Sequence, residues 1–441
     1  MKIFILTLAN VLLLCGCTNR EEPVVPLNDE GESQEVQIRT PAEALAIAAQ
    51  YCNATGENDS RSEGRTVGGN SISVIQGTES RGVSDTLMYA VDFADNEGFM
   101  IVSANKAVEP ILAIIDKGNY QESIAGKNKG FEIFMEYAKK YSSNVPKKTI
   151  SSSSEDFLMA EKRDTTYMTS GSWRPKVPVE WNQRWPENMF APNLVAGCVP
   201  VAMAQVLTAI KPELSLPLTF DGRPYDTLNP NWTEIIRHKK SSETYKPFDL
   251  KIQLHLNGCS SMEYHIQIGA LVRQMGVLVN AIYNGTPDDP QNNSTGANTF
   301  SGVSHVVALL PEYGYESVSP RRLYEFLGDD VAMVRGKAFI PYPNGQFDYV
   351  GHCWVADATF CLTRIINIYY TYNPKTGEYE SRDIEKEERH YVHFSWGWGG
   401  NSNGFFLENV FESDEGTTEP SFVKSRDNFK DELEGYVIKR K

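Results

Sequence analysis

Apolar residues open the chain as a block, running almost unbroken from Ile3 to Leu14 behind Lys2 before the sequence turns polar. A basic residue followed by a short apolar block is the layout of a secretory signal, and the block is too short to span a bilayer. The stretch from Thr18 to Gln37 is polar, acidic and Pro-containing, which predicts a disordered tether. After Pro41 the spacing becomes helical: in AEALAIAAQYC, Ala44, Ile47, Ala48 and Tyr51 share one face. From Asn53 to Arg81 the chain is rich in Ser, Gly, Asn and charge, which predicts a mobile loop. Two strand-like segments, Leu87–Phe93 and Phe99–Ser103, then flank Asp95, Asn96 and Gly98. Asn and Gly accept positive φ, so these two segments are expected to form a hairpin.

Residues 147–172 are polar again, with four serines at 151–154 and the basic pair Lys162 and Arg163. Such a stretch is expected to stay open to proteases, as an interdomain linker or a site of activation. Beyond Val177 the pattern is mixed: a helix after Cys198, a helix from His265 to Val277, then strands between Ala332 and Tyr391. That order predicts an α+β domain rather than repeated βαβ units. Within the strands, RIINIYYTY, a turn over Asn373–Gly377, and EYESRDIEKEER predict an extra hairpin beside the candidate site described below.

A length of 441 residues accommodates two or three domains. The formal net charge of -15, with no dominant basic run, argues against a nucleic-acid partner. Five cysteines follow Cys17, namely Cys52, Cys198, Cys259, Cys353 and Cys361. Their odd number and wide scatter make a poor disulfide framework and show no metal-ligand spacing, so at least one free thiol is expected.

Cys198 follows Gly197 and opens the run CVPVAMAQVLTAI, whose Pro200 is tolerated in a first helical turn. A thiol at a helix N-terminus is expected to have a depressed pKa, and the same free amides can stabilise an oxyanion. Of seven histidines, His352 has the best setting for a general base. In VGHCWVADA, Gly351 permits close approach, and period-2 alternation puts His352, Trp354 and Ala356 on one face with Cys353 and Val355 on the other. His393, in VHFSWGWGGNSNGFF, is its rival.

These strings resemble those of the streptopain family of bacterial cysteine proteases. YAVDFADNEGFMIVSANKAVEPILAIIDKGNY resembles the family's inhibitory propeptide; VEWNQRWPENMF, AGCVPVAMAQVL, VGHCWVADA and VHFSWGWGGNSNGFF resemble segments of its catalytic domain. The resemblance implies Cys198 as nucleophile, His352 as base, and Gln183 with the Cys198 amide as oxyanion hole. Trp396 matches the Trp that shields the imidazole, and His393 is structural. Ser395 stands where the family has Asn, so a third catalytic role falls to its shorter hydroxyl, a backbone carbonyl, a water or nothing. LCGC resembles a bacterial lipobox, which implies lipidation at Cys17 and export to the outer membrane or cell surface. The implied layout is a signal over residues 1–16, a tether over 17–37, an inhibitory prodomain over 38–146, an activation linker over 147–172 and a papain-like protease domain over 173–441. The expected partners are protein or peptide substrates, the chain's own prodomain, and a membrane only through the lipid. The protease reading implies no metal or organic cofactor. A Cys/His amidase acting on cell wall and a non-catalytic binding lipoprotein are the alternatives.

Overall fold

The computed structural model describes residues 38–55, 65–77, 86–143, 160–172, 174–220, 223–239, 264–284, 298–300, 315–318, 323–328, 330–341, 347–373, 375–411 and 434–440. The expected signal, Cys17, the tether, the serines at 151–154 and Cys259 lie outside the described residues.

Helix α1 (Pro41–Thr55) starts at a reciprocal cap: the Thr40 amide donates to Glu43 Oε2 at 2.7 Å, and the Glu43 amide donates to Thr40 Oγ1 at 3.2 Å. It buries Ala44, Ala48, Tyr51 and Cys52. Strands β1 (Val67–Gln76), β2 (Thr86–Phe93), β3 (Phe99–Ser103) and β4 (Ile111–Ile115) form an antiparallel meander. The β2–β3 turn has Asp95, Asn96 and Gly98 at positive φ. β1 is a correction, because a strand lies where a mobile loop is expected. Its polar sequence is ordered by pairing along β2, with Ile75 buried and Val67 and Ile72 packed on the core. Helix α2 (Tyr120–Ala125) and helix α3 (Lys129–Ser143) complete this part. α3 is capped by Asn128 Oδ1, which accepts from the amides of Gly130 and Phe131 at 3.0 and 3.2 Å. Its buried stripe includes Phe131, Phe134, Tyr137 and Ala138.

Next comes strand β5 (Ala160–Ser172), which pairs antiparallel with a strand introduced below over Thr359–Tyr370. The second half of the expected linker is therefore part of the sheet, since edge pairing satisfies its backbone polar groups and Tyr167 supplies a buried anchor. Helix α4 (Cys198–Ile210) follows, then the hairpin β6 (Leu216–Phe220) and β7 (Arg223–Leu228), helix α5 (Trp232–Arg237) and helix α6 (Tyr264–Leu278). A short pair, β8 (Ile282–Asn284) and β9 (Asn298–Phe300), leads to β10 (Tyr315–Val318) and helix α7 (Leu323–Leu327). The remaining strands are β11 (Val331–Pro341), β12 (Phe347–Asn373), β13 (Glu378–Ser395), β14 (Gly404–Leu407) and β15 (Glu434–Arg440).

Eleven of the described strands join in one sheet of order β1-β2-β3-β4-β14-β13-β12-β11-β15-β10, with β5 on β12, while β6–β7 and β8–β9 are separate two-stranded pairs. β4 and β14 form the seam between the N-terminal and C-terminal parts. One face carries α3 over Trp354, Phe394, Trp396 and Phe406; the other carries α4 and α6 over Met333, Cys353 and Val355. The expected extra hairpin is present as the far halves of β12 and β13. Its place is a correction, because it projects away from His352 rather than beside it. At roughly 3.3 Å per residue, Arg364 lies about 40 Å further along β12.

Candidate active site

Cys198 is the first residue of α4, and Gly197 before it has φ 93, a backbone that a side chain would strain. A Cβ at Gly197 would also lie 2.7 Å from Thr299 Cγ2. The helix lays Val199, Ala202 and Val206 against Cys353 and Val355 of β12, which presses the half-buried thiol onto the strand. There the backbone amides of Cys353, Val199 and Cys198 itself favour the thiolate. Burial outweighs these donors and pushes the thiol pKa up. The expected depressed pKa is thus corrected for this state of the protein: the helix terminus does not offset desolvation.

His352 is 5% exposed and shares the opposite face of β12 with Trp354, its ring parallel to that indole at a centroid distance of 6.1 Å. Trp398 lies 6.3 Å away on another side. Its Nε2 meets the Trp396 carbonyl at 2.6 Å. Burial lowers the imidazole pKa to about 4, the carbonyl opposing this and Lys129 of α3 adding to it. Among the described residues no hydrogen bond or ring contact joins His352 to Cys198. The side chain of β12 on the thiol's own face is Cys353, whose pKa is raised by burial and by Cys198. At neutral pH both Cys198 and His352 are therefore uncharged.

The remaining expected residues are nearby in different roles. Trp396 is fully buried among Trp354, Phe394 and Phe406 and donates its indole N–H to Ser402 O at 2.8 Å. It meets His352 through its carbonyl, while the rings beside the imidazole belong to Trp354 and Trp398. Ser395 Oγ does not reach His352; it accepts from Gln205 Nε2 at 3.2 Å and Asn403 Nδ2 at 3.3 Å. The Gln183 carbonyl accepts from the Ala196 amide at 3.4 Å, tying its segment to the approach to Cys198.

Residues that the sequence reading did not assign to the site complete it. Gln205 is fully buried two turns along α4 from Cys198, and a lone amide in so apolar a run is its sequence signal. The N-terminal part also enters the site. Gly130 of α3 abuts Trp396 so closely that a Cβ would lie 2.1 Å from Cε3. His393 is 3% exposed, with Nδ1 at 2.6 Å from Asp357 Oδ1 and Nε2 at 3.0 Å from Asp116 Oδ2. Burial opposes its charge, yet the two carboxylates outweigh burial and raise its pKa to about 10. Asp357 is the extra residue where β12 shifts register between Ala356 and Ala358 against β13. Its other oxygen accepts from the Val177 amide at 2.9 Å. Among the described residues no group of His, Cys, Asp and Glu is arranged to hold a metal.

Cys198, at a helix N-terminus, lies on the strand that carries His352, and α3 of the N-terminal unit covers the other face of that strand. Residues 178–406 match the model of the Peptidase C10 family and residues 36–142 that of the Spi protease inhibitor. The chain belongs to the Peptidase C10 family. No curated protein sequence matches it. Among solved structures, a fragment of prointerpain A from Prevotella intermedia is similar at 15% identity and a TM-score of 0.43. That match covers 83% of this chain and 98% of the fragment, a likeness too slight to assign any residue.

Proposed function

We propose that this cysteine protease zymogen is exported, held at the bacterial outer membrane or cell surface by a lipid on Cys17, and activated by loss of residues 38–146. In the active enzyme Cys198 is the nucleophile and His352 its base. The thiolate attacks a peptide carbonyl, the Cys198 amide and Gln183 side chain hold the oxyanion, and the imidazolium protonates the leaving amine. Water then resolves the acyl-enzyme. The supporting observation is the position of Cys198, at the mouth of α4 against the one β12 segment that carries His352. In the prodomain-bound chain that imidazole is turned to the face under α3, beside Lys129, and bonded to the Trp396 carbonyl. Departure of α3 removes the cation and uncovers Trp396. Bringing the ring to the thiol's face requires the β11–β12 ladder around His352 to loosen, and Gly351 beside it lowers the cost of that backbone change.

The test is to incubate the purified full chain beside its Cys198→Ala variant. Wild type is expected to shorten to a stable fragment, hydrolyse denatured protein and react with an epoxide probe. Cys198→Ala should do none of these, and Cys353→Ala should keep the probe reaction. Peptidoglycan cleavage without proteolysis would replace the protease with an amidase. A parallel Cys17→Ser chain should lose detergent-phase partitioning while keeping proteolysis.

A further inference from the structure

β4 of the prodomain is read along its whole length by the protease part. Its residues Ala113, Ile114 and Ile115 pair antiparallel with Phe406, Phe405 and Gly404 of β14. Before the ladder, the Tyr391 hydroxyl donates to Ile111 O at 2.8 Å; after it, the Asp116 amide donates to Asn403 O at 2.9 Å. Gly404 makes the approach possible, since a Cβ there would sit 2.4 Å from Ile114 O. Two charged contacts then close the register. Asp116 meets His393 at 3.0 Å, and Lys117 meets Glu180 at 2.9 Å. Lys117 is largely exposed, so its pair adds little; Asp116 meets an almost fully buried imidazole and is the discriminating contact.

Once the prodomain has left, β14 keeps β13 on one side and has no described strand on the other. A bare edge whose amides and carbonyls lack partners is a template for another strand. We propose that the β14 edge is a strand-docking exosite of the mature enzyme, taking an extended segment of a protein substrate in which aliphatic residues precede a carboxylate. β4 with Asp116 is the occupant's chemistry displayed in place. The exosite tethers long substrates without touching the scissile bond, so it acts on KM for proteins and not on short peptides. This inference rests on the reading that the prodomain departs on maturation.

The experiment uses the processed enzyme and a fluorescent synthetic peptide of residues 110–117, read by anisotropy. Saturable binding is expected, at least tenfold weaker for the same peptide with Asp116→Asn. The unlabelled peptide should raise KM for denatured protein and leave a dipeptidyl fluorogenic substrate unaffected. Equal binding of the two peptides, no saturation, or light scattering that shows a dimer closing the edge would overturn the proposal. A second measurement on the full chain does not depend on processing. Asp116→Asn in a Cys198→Ala background should speed hydrogen exchange of the β4 and β14 amides at least tenfold, and unchanged exchange would count against the proposal. Peptide binding without any proteolysis would remove the protease reading and leave the docking edge standing.

Discussion

Gly130, the second residue of α3, lies against the Trp396 indole, and there is no space for even one methyl group between them. Gly130→Ala is expected to cost about 1–3 kcal/mol of overpacking strain, felt at the contact between prodomain and active site. Time courses of self-processing should show an earlier onset than in wild type. Ser395 is a different kind of contact. Its hydroxyl accepts from the amides of Gln205 and Asn403, and Gln205 has no route to water. Ser395→Ala leaves buried donors without an acceptor and should cost about 1–3 kcal/mol in urea unfolding of the full chain. The residue thus supports the loop that presents the Trp396 carbonyl to His352, rather than the imidazole directly.

β5 and the long β12–β13 hairpin form a second contact with the prodomain, far from the thiol. Glu109, which precedes β4, has a side chain 2% exposed and lies 2.9 Å from Arg389 Nε of β13. Burial pushes its carboxyl pKa up, against the pull of Arg364, Arg389 and Arg39. Across the hairpin, Arg364 pairs with Glu387. Arg389→Ala removes the nearest cation from a buried carboxylate. The loss should be about 2–3 kcal/mol, below the roughly 3–5 kcal/mol of an isolated buried pair because two other arginines still face Glu109. Denaturation of the Cys198→Ala chain, with and without this change, measures it. β5 also bears on maturation. Since Ala160–Ser172 is paired into the sheet, N-terminal sequencing of the stable fragment should place its start before Ala160. A start within β5 would show that the pairing is lost on activation.

The two buried histidines give the zymogen opposite pH responses on either side of neutrality. His393, raised to about 10, contributes stability that is complete below its ordinary value near 6.5 and is lost as pH rises toward 10. His352, lowered to about 4, contributes stability that is complete above about 6.5 and is lost as pH falls toward 4. Stability of the full-length Cys198→Ala chain should therefore peak near pH 6–7 and fall on both sides. Asp116→Asn, which removes one of the carboxylates holding His393 charged, should flatten the alkaline limb and leave the acid limb in place. Thermal unfolding across pH 4–10 tests both statements. The same contacts tie prodomain to protease, so the alkaline limb should be mirrored in faster self-processing of the active chain.

Local pattern carried much of this protein. The spacing of Ala44, Ala48 and Tyr51 determines α1, the positive-φ residues Asp95, Asn96 and Gly98 determine the β2–β3 turn, and Gly197-Cys198 followed by apolar helix formers determines where the thiol sits. Each depends on neighbours within a few residues, which a sequence displays directly. Pairing was another matter. β1 and β5 have polar sequences that read as loop and linker and become strands only because β2 and β12 present open edges to them. The side of β12 that faces Cys198 depends on which layer α4 and α3 each cover, and the charge of His393 depends on Asp116, 277 residues away along the chain. Alternation shows that His352 and Cys353 point opposite ways; only packing decides which of them meets the thiol while the prodomain is bound.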